Sequence, residues 1–194
     1  MAGRPKEFDP DEALDKAMRL FWSRGYHDTS IRDLVEATGV NYYGLYGAFE
    51  NKQGLFLAAL DRYRATVTAE VLKELPTASP VVPAIRRAFA HLLEVMDPKD
   101  GRRGCLMCNT AIELGPHDPD AAGKVQAHLQ LLGSAFRDAL ERAVYAGEVV
   151  AEVDIDAQAA FLATTAYSAG VLIRAGLGRK QVERHVATAL SGLG

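Results

Sequence analysis

Cys105 and Cys108 stand three apart in a chain of 194 residues that has no other cysteine. On a helix that spacing lets both thiols face one way and share a soft metal such as copper(I) or zinc. Glu113 and His117, four apart, extend the stretch with two more donors. Four-residue zinc sites draw on two such pairs, and this stretch has one, so no metal is assigned. The plainer reading makes both cysteines small buried residues. A thioredoxin-like role needs a CxxC between strand and helix in a βαβ pattern, and the flanks here are not of that kind. Ser-His-Asp spacing, a Gly-rich phosphate loop and HExxH are missing as well. No residue set points to an enzyme or to a bound cofactor.

A second group of residues has the types and spacing to touch nucleic acid. From Asp28 to Gln53 the chain reads DTSIRDLVEATGVNYYGLYGAFENKQ. Ile31, Leu34, Val35 and Ala37 give one short helix an apolar face, Thr38-Gly39-Val40 breaks it, and Asn41 opens a second helix through Leu45 and Tyr46. Thr29 and Ser30 can accept from the free N–H groups of the first helix, and Gly39 can take the left-handed conformation that ends it. Asn41 caps the second helix, and the small Ala37 lets the two cross closely. Two helices joined by such a turn form the DNA-reading motif, whose second helix enters the major groove. On spacing alone an ordinary helical hairpin fits as well.

Phe21, Gly25-Tyr26, Thr29-Ser30-Ile31, Arg32-Asp33-Leu34, Gly39-Val40, Leu45-Tyr46, Phe49, Asn51-Lys52 and Leu55 together resemble the N-terminal domain of the TetR family of transcriptional regulators. The resemblance implies an all-α fold, with a three-helix helix-turn-helix DNA-binding domain over 1–50 and a larger helical ligand-binding and dimerisation domain over 51–194. It implies a one-component regulator, a repressor by the family's usual outcome, that binds a palindromic double-stranded DNA operator as a homodimer and answers a small-molecule effector. Half-sites would lie one helical turn apart, about 34–36 Å. Mapped onto this chain, the DNA-binding residues are Arg4, Lys6, Thr29, Ser30, Arg32, Asn41, Tyr42, Tyr43, Gly44, Tyr46 and Lys52. The second helix departs from the family pattern. Gly44 replaces a usual Ser or Thr, Tyr42 a basic or polar residue, Tyr43 a small one, and Gly47 a larger polar one, so base contacts cannot be copied from relatives. A weaker match, Gly104, Cys105, Asn109 and Glu113, resembles the ligand-domain helix of one TetR subgroup.

Charge offers little help to a DNA reader. The net charge is −3, and the first fifty-two residues carry seven cations against nine carboxylates, 7 − 9 = −2. Placement must then decide affinity, which should be modest and salt-sensitive. Met1 to Lys6 lacks the apolar core of a signal peptide, which places the protein in the cytoplasm, where the two cysteines stay unbridged. Ala157 to Leu177 is apolar but interrupted by Thr164, Thr165, Ser168 and Arg174, as in a buried interface helix and unlike a membrane span.

Helical spacing organises the rest. Arg4 and Lys6 form a basic arm able to enter a minor groove. Asp9 caps a first helix, with Pro10 at its first turn and Glu12 at capping-box spacing; Leu14, Ala17, Met18, Phe21 and Trp22 line its inner face. Asn51 caps a long fourth helix carrying Leu55, Phe56, Leu60, Tyr63, Val67 and Val71, and Lys52 at its start can meet a phosphate. Because it leaves one domain for the other, its tilt can transmit a signal. Further helices follow around Ile85–Met96, from Gly104 to Gly115, and from Pro119 to Tyr145 with Val125, Leu129, Leu132, Phe136 and Leu140 inward. Helices at 156–175 and 179–190 close the chain. Gly170 and Ser168 permit close approach there, and the resemblance makes this pair the homodimer interface. Apolar and aromatic residues with a few polar groups give the ligand-binding candidates: Phe89, Leu92, Met96, Cys105, Cys108, Asn109, Phe136, Phe161, Thr164, Tyr167 and Ser168. Two other readings stay open, a metal- or thiol-responsive regulator using Cys105 and Cys108, and a helical interaction protein that does not bind DNA.

Overall fold

Most of the longer helices in this chain start where a side chain reaches two or three residues ahead. Ser30 accepts from Asp33 N, Asn41 from Gly44 N, Asn51 from Gly54 N and Asp154 from Ala157 N, each meeting an N–H with no partner inside its helix. Asp118 does the same for Asp120 and Ala121 ahead of Pro119. The resulting elements, seen in a computed structural model that describes residues 8–97 and 101–193, are α-helical, and no strand occurs among the described residues. Arg4 and Lys6 lie outside the described residues.

α1 (Pro10–Arg24), α2 (Ile31–Thr38) and α3 (Tyr42–Phe49) form the N-terminal unit. α4 (Lys52–Tyr63) leads out of it through a π-helical turn at Arg64–Thr68 into the short α5 (Ala69–Leu72). α6 (Val81–Met96), α7 (Leu106–Glu113), α8 (Pro119–Tyr145), α9 (Ile155–Arg174) and α10 (Arg179–Leu190) build the larger unit. No described helix is long and apolar enough to cross a membrane.

Packing explains the arrangement. Ala17, Met18, Phe21 and Trp22 of α1 are buried against Leu55, Phe56, Ala59 and Leu60 of α4, with Phe21 edge-on to Phe56 at 4.9 Å. Burying one such phenylalanine contributes about 1.5–3 kcal/mol. An Arg62 fork onto the Asp15 carboxylate, at 2.7 and 2.8 Å, fastens the same two helices. That guanidinium holds the Asp15 carboxyl below the ordinary range. In the larger unit Phe89 of α6 stacks on Phe136 of α8 at 5.5 Å.

Several expectations need correction. The Asp9–Glu12 capping box does not form: Asp9 accepts from Asp11 N, while the Glu12 carboxylate pairs with Lys16 at 2.8 Å. The complete box lies at Ser30 and Asp33, where both reciprocal bonds are made. Ala37 is exposed, so it is not the point where α2 and α3 cross; Val40 and Leu45 fill that space. On α8, His128 is buried and Leu129 is 37% exposed, because the inward stripe runs through Ala121, His128, Leu132, Phe136 and Leu140. α7 starts at Leu106 with Cys105 as its cap residue, and α9 starts at Ile155 after the Asp154 cap.

Candidate nucleic-acid interface and internal cavity

Leu45, 1% exposed, fixes α3 to the body of the N-terminal unit, and that anchor decides what the helix shows to solvent. Tyr42 is 48% and Tyr43 84% exposed at its first turn, an unusual cost for aromatic rings with no partner surface. Tyr42 leans on Tyr46 with centroids 4.2 Å apart and meets Tyr43 edge-on at 5.6 Å, so the three rings form one ledge. Tyr46 is half-buried beneath it. Asn41 spends its oxygen on the Gly44 N–H at 2.9 Å, which leaves its amide hydrogens facing outward. Gly44 belongs to the inner side: an added Cβ would lie 2.8 Å from Val40 Cγ1 and 3.1 Å from Phe8 Cε1. It positions α3 and has no side chain to offer DNA.

The flanking candidates divide in the same way. Ser30 and Arg32 are exposed. Thr29 is fully buried, and its hydroxyl donates to the Gly25 carbonyl at 2.6 Å, so it shapes the turn before α2 and is withdrawn from the DNA-facing set. Lys52 is half-buried at the start of α4, its ammonium 4.2 Å above the Tyr26 ring. Burial pushes its pKa down, against an opposing pull from Glu113.

Glu113 is where sequence and structure part most sharply. Its carboxylate accepts from Tyr26 N at 3.0 Å and His27 N at 2.6 Å, two neighbouring backbone donors between α1 and α2. Gly25 is needed for this clasp, since its φ is +94° and an added Cβ would sit 2.8 Å from a Glu113 oxygen. Nearby, Trp22 Nε1 donates to Gly104 O at 2.9 Å, and Arg174 donates to Ser23 O at 2.9 Å. Thus both ends of the segment 104–113 are tied to the N-terminal unit. Glu113 therefore cannot extend a cysteine metal site, His117 is exposed, and no group of three or more His, Cys, Asp or Glu among the described residues is placed to hold a metal ion.

At its other end α7 borders an internal cavity. The wall includes Tyr63, Val67, Thr68 and Val71 from the α4–α5 segment, Leu92, Val95 and Met96 from α6, then Cys105, His128, Leu132, Ala166 and Tyr167. Its free volume is ≈ 20 Å³, about what one water molecule occupies. Four of the expected residues are brought together here, Leu92, Met96, Cys105 and Tyr167, with Cys108 just behind, its thiol donating to Tyr167 O at 3.5 Å. Phe89 and Phe136 line only a smaller adjoining void of ≈ 10 Å³. Asn109 supports the preceding loop by donating to Arg103 O at 3.0 Å. Phe161 and Thr164 face solvent, and the Ser168 hydroxyl is paired with His185 Nε2 at 2.7 Å, so these three do not line the cavity. Tyr63 and His128 were missed, because an inward phenol in a long apolar stripe reads simply as core and a lone histidine beside Leu129 as surface.

The polar groups of the wall form a tight set. Tyr63 Oη donates to Cys105 Sγ at 3.6 Å. The Cys108 S–H and, after it, the His128 ring hold the Cys105 thiol well below the usual thiol range. Sharing that proton and burial push the Cys108 thiol up, and burial raises the Tyr63 and Tyr167 phenols. Gly104 and Gly170 make the set possible. A Cβ on Gly170 would lie 2.8 Å from Cys105 Cβ, and one on Gly104, where φ is +64°, would lie 2.6 Å from Gly170 O. The close approach of Gly170 is therefore made within the chain, and not to a partner copy.

A capped helix-turn-helix, joined to a larger helical unit that encloses a small cavity, defines a helix-turn-helix regulator of the TetR architecture. The model of the family described as bacterial regulatory proteins, tetR family, matches residues 13–59, and that of the tetracyclin repressor-like C-terminal domain matches residues 81–190. Over 189 residues the chain is 35% identical to the HTH-type transcriptional repressor ComR of Escherichia coli K12, covering 97% of this chain and 90% of the relative. It is 32% identical to the uncharacterized HTH-type transcriptional regulator YezE of Bacillus subtilis 168, covering 98% and 99%. A solved cysteine-substituted form of the TetR family regulator CifR, complexed with 26 bp operator DNA, superposes with a TM-score of 0.87 at 28% identity, covering 99% of this chain and all of that one. The chain belongs to the TetR family.

Proposed function

We propose that the protein is a one-component transcriptional repressor that binds a palindromic operator as a homodimer, with α3 of each copy in the major groove, and lets go when a small molecule enters the cavity. The division of labour falls at Glu50, with 1–50 reading DNA and 51–194 binding the effector and the second copy. The observation that carries the reading is the Tyr42–Tyr43 ledge, exposed at the start of α3 while Leu45 locks the helix from behind. Asn41, Arg32 and Ser30 flank that ledge, and the first turn of α4 with Lys52 offers N–H groups to a phosphate. Phe161 and Val171, 50% and 40% exposed on α9, supply an apolar face for a second copy. Repression is favoured because the ComR relative is named as a repressor.

The segment 104–113 supplies the coupling. Cys105, at its start, lines the cavity, while Glu113, at its end, clasps the α1–α2 junction. A molecule that displaces the start moves the clasp, and with it the angle of α3. Coupling of this kind is worth about 1–3 kcal/mol, and only if the molecule binds the two arrangements unequally.

Selection of bound sequences from random DNA tests the reading and yields the operator at once; recovery of no enriched sequence would refute it. On the selected operator, Tyr42→Ala should weaken retention in a gel shift roughly tenfold, about 1.4 kcal/mol, with an unchanged melting temperature. Unaltered retention would remove Tyr42 from the reading surface. A thiol trigger is the second reading, favoured by the contact of Cys105 with Cys108 and His128. Release of operator by peroxide, reversed by a thiol reductant and with no other small molecule added, would select it over the first.

A further inference from the structure

His128 is 3% exposed, and its Nδ1 is the only buried side-chain nitrogen or oxygen among the described residues that lacks a hydrogen-bond partner. An unmet buried polar atom carries the cost of its lost hydration, so it marks a place where a partner gains more than an ordinary hydrogen bond. The ring stands in the cavity wall, 6.2 Å from the Tyr63 ring and 5.8 Å from the Tyr167 ring. Among the described residues, no Asp, Glu, Lys or Arg belongs to that wall. An ion placed there would lose its water and meet no carboxylate, ammonium or guanidinium, so the site favours neutral molecules. An imidazole Nδ1 donates or accepts according to its tautomer. A hydroxyl satisfies either case, whereas a carbonyl or ether satisfies one. The two phenol rings that flank the imidazole suit a flat apolar frame.

We propose that the cavity binds a small neutral molecule with a single hydroxyl on an aromatic frame, a monohydric phenol in its simplest form, with the hydroxyl hydrogen-bonded to His128 Nδ1. The consequence for DNA rests on the repressor reading above; the binding does not. Space must be made, because ≈ 20 Å³ does not hold a six-membered ring. The way in is written in the wall. Val67 and Val95 also face an open cleft of ≈ 520 Å³ between α1 and the α4–α6 segment. Val67 lies in the π-helical turn, outside the regular α-helical ladder, and Met96 beside it has the flexible thioether that repacks most readily. Passage between the two valines leaves the Phe89–Phe136 core untouched.

Calorimetric titration of the purified full chain with phenol, toluene and benzoate tests this, in the wild type and in His128→Leu and His128→Asn. Phenol should bind at least tenfold tighter than toluene, benzoate should not bind, and His128→Leu should erase the preference while His128→Asn retains part of it. Toluene equal to phenol, binding of benzoate, no binding of any probe, or a full preference surviving in His128→Leu would each overturn the assignment. If His128→Leu fails to fold by circular dichroism, the wild-type comparison of phenol with toluene decides alone. A parallel gel shift keeps the two readings apart. Phenol selectivity without operator binding sinks the repressor and keeps this site, and operator binding without phenol selectivity does the reverse.

Discussion

The helix-turn-helix and the cavity meet the same demand, partners for polar groups that helix ends or burial would leave unpaired, over very different stretches of chain. In the first, Ser30 answers Asp33, Thr38 answers Leu34 and Asn41 answers Gly44, all within four residues. In the second, Tyr63 reaches Cys105 across 42 residues and Cys108 reaches Tyr167 across 59, and at the far end of α7 Glu113 reaches Tyr26 across 87. Local pairs hold a helix end whatever the rest of the molecule does. Long-range pairs hold only while several helices keep their alignment, and alignment is what a small molecule can bias. The reader's shape thus rests on local pairs, and the cavity's on how whole helices sit against one another.

The contrast can be broken first at its tightest point. Gly170→Val should cost about 1–3 kcal/mol by overpacking, because its Cβ would start 2.8 Å from Cys105 Cβ and 3.0 Å from Cys105 N. Thermal melting should show the loss, and Cys105 should become reactive to a thiol reagent in the folded protein. A melting temperature equal to the wild type's would show that α9 and the α7 loop are not locked together. A smaller change sharpens the coupling claim. Glu113→Gln should cost about 1–2 kcal/mol, since it weakens two hydrogen bonds to a carboxylate that is partly solvated. Its operator affinity should respond less to any molecule that fills the cavity, and an undiminished response would remove the clasp from the signal route.

The smallest effect belongs to the local side. The Ser30 hydroxyl and N–H, with Arg24 at 2.8 Å behind, hold the Asp33 carboxyl at about 2 instead of 3.8. A depressed folded pKa means stability that is present above the unfolded value and is lost as pH falls through the folded one. The melting-temperature gap between wild type and Asp33→Asn should therefore be steady near neutrality, narrow below about pH 4 and close near pH 2. A gap that persisted at pH 2 would mean the capping box works without the charge.

Legibility followed the same division. Ser30, Gly39, Asn41 and Asn51 could be assigned as helix punctuation because each acts on a neighbour one turn away, and Gly39 does adopt φ 74°. Thr29 misled, since the residue beside a cap can turn either outward or into the bend, and its hydroxyl goes to Gly25 O. Along α8 the period of an α-helix permits either of two adjacent residues inward, so Leu129 was the natural choice and His128 took the place. Glu113, read as a donor for the cysteines five and eight residues upstream, points away from them because α7 ends against the α1–α2 junction.

From the order of residue types alone come the helices, their caps, the break between α2 and α3 and the family to which the chain belongs. These rest on hydrogen bonds and apolar spacing that span no more than a few turns. Which side chains share the cavity, which carboxylate clasps the N-terminal unit, and why glycine stands at 104 and 170 emerged only once α1, α4, α6, α7, α8 and α9 were packed together. Contacts between residues forty to ninety positions apart depend on how whole helices cross, and no local pattern encodes a crossing.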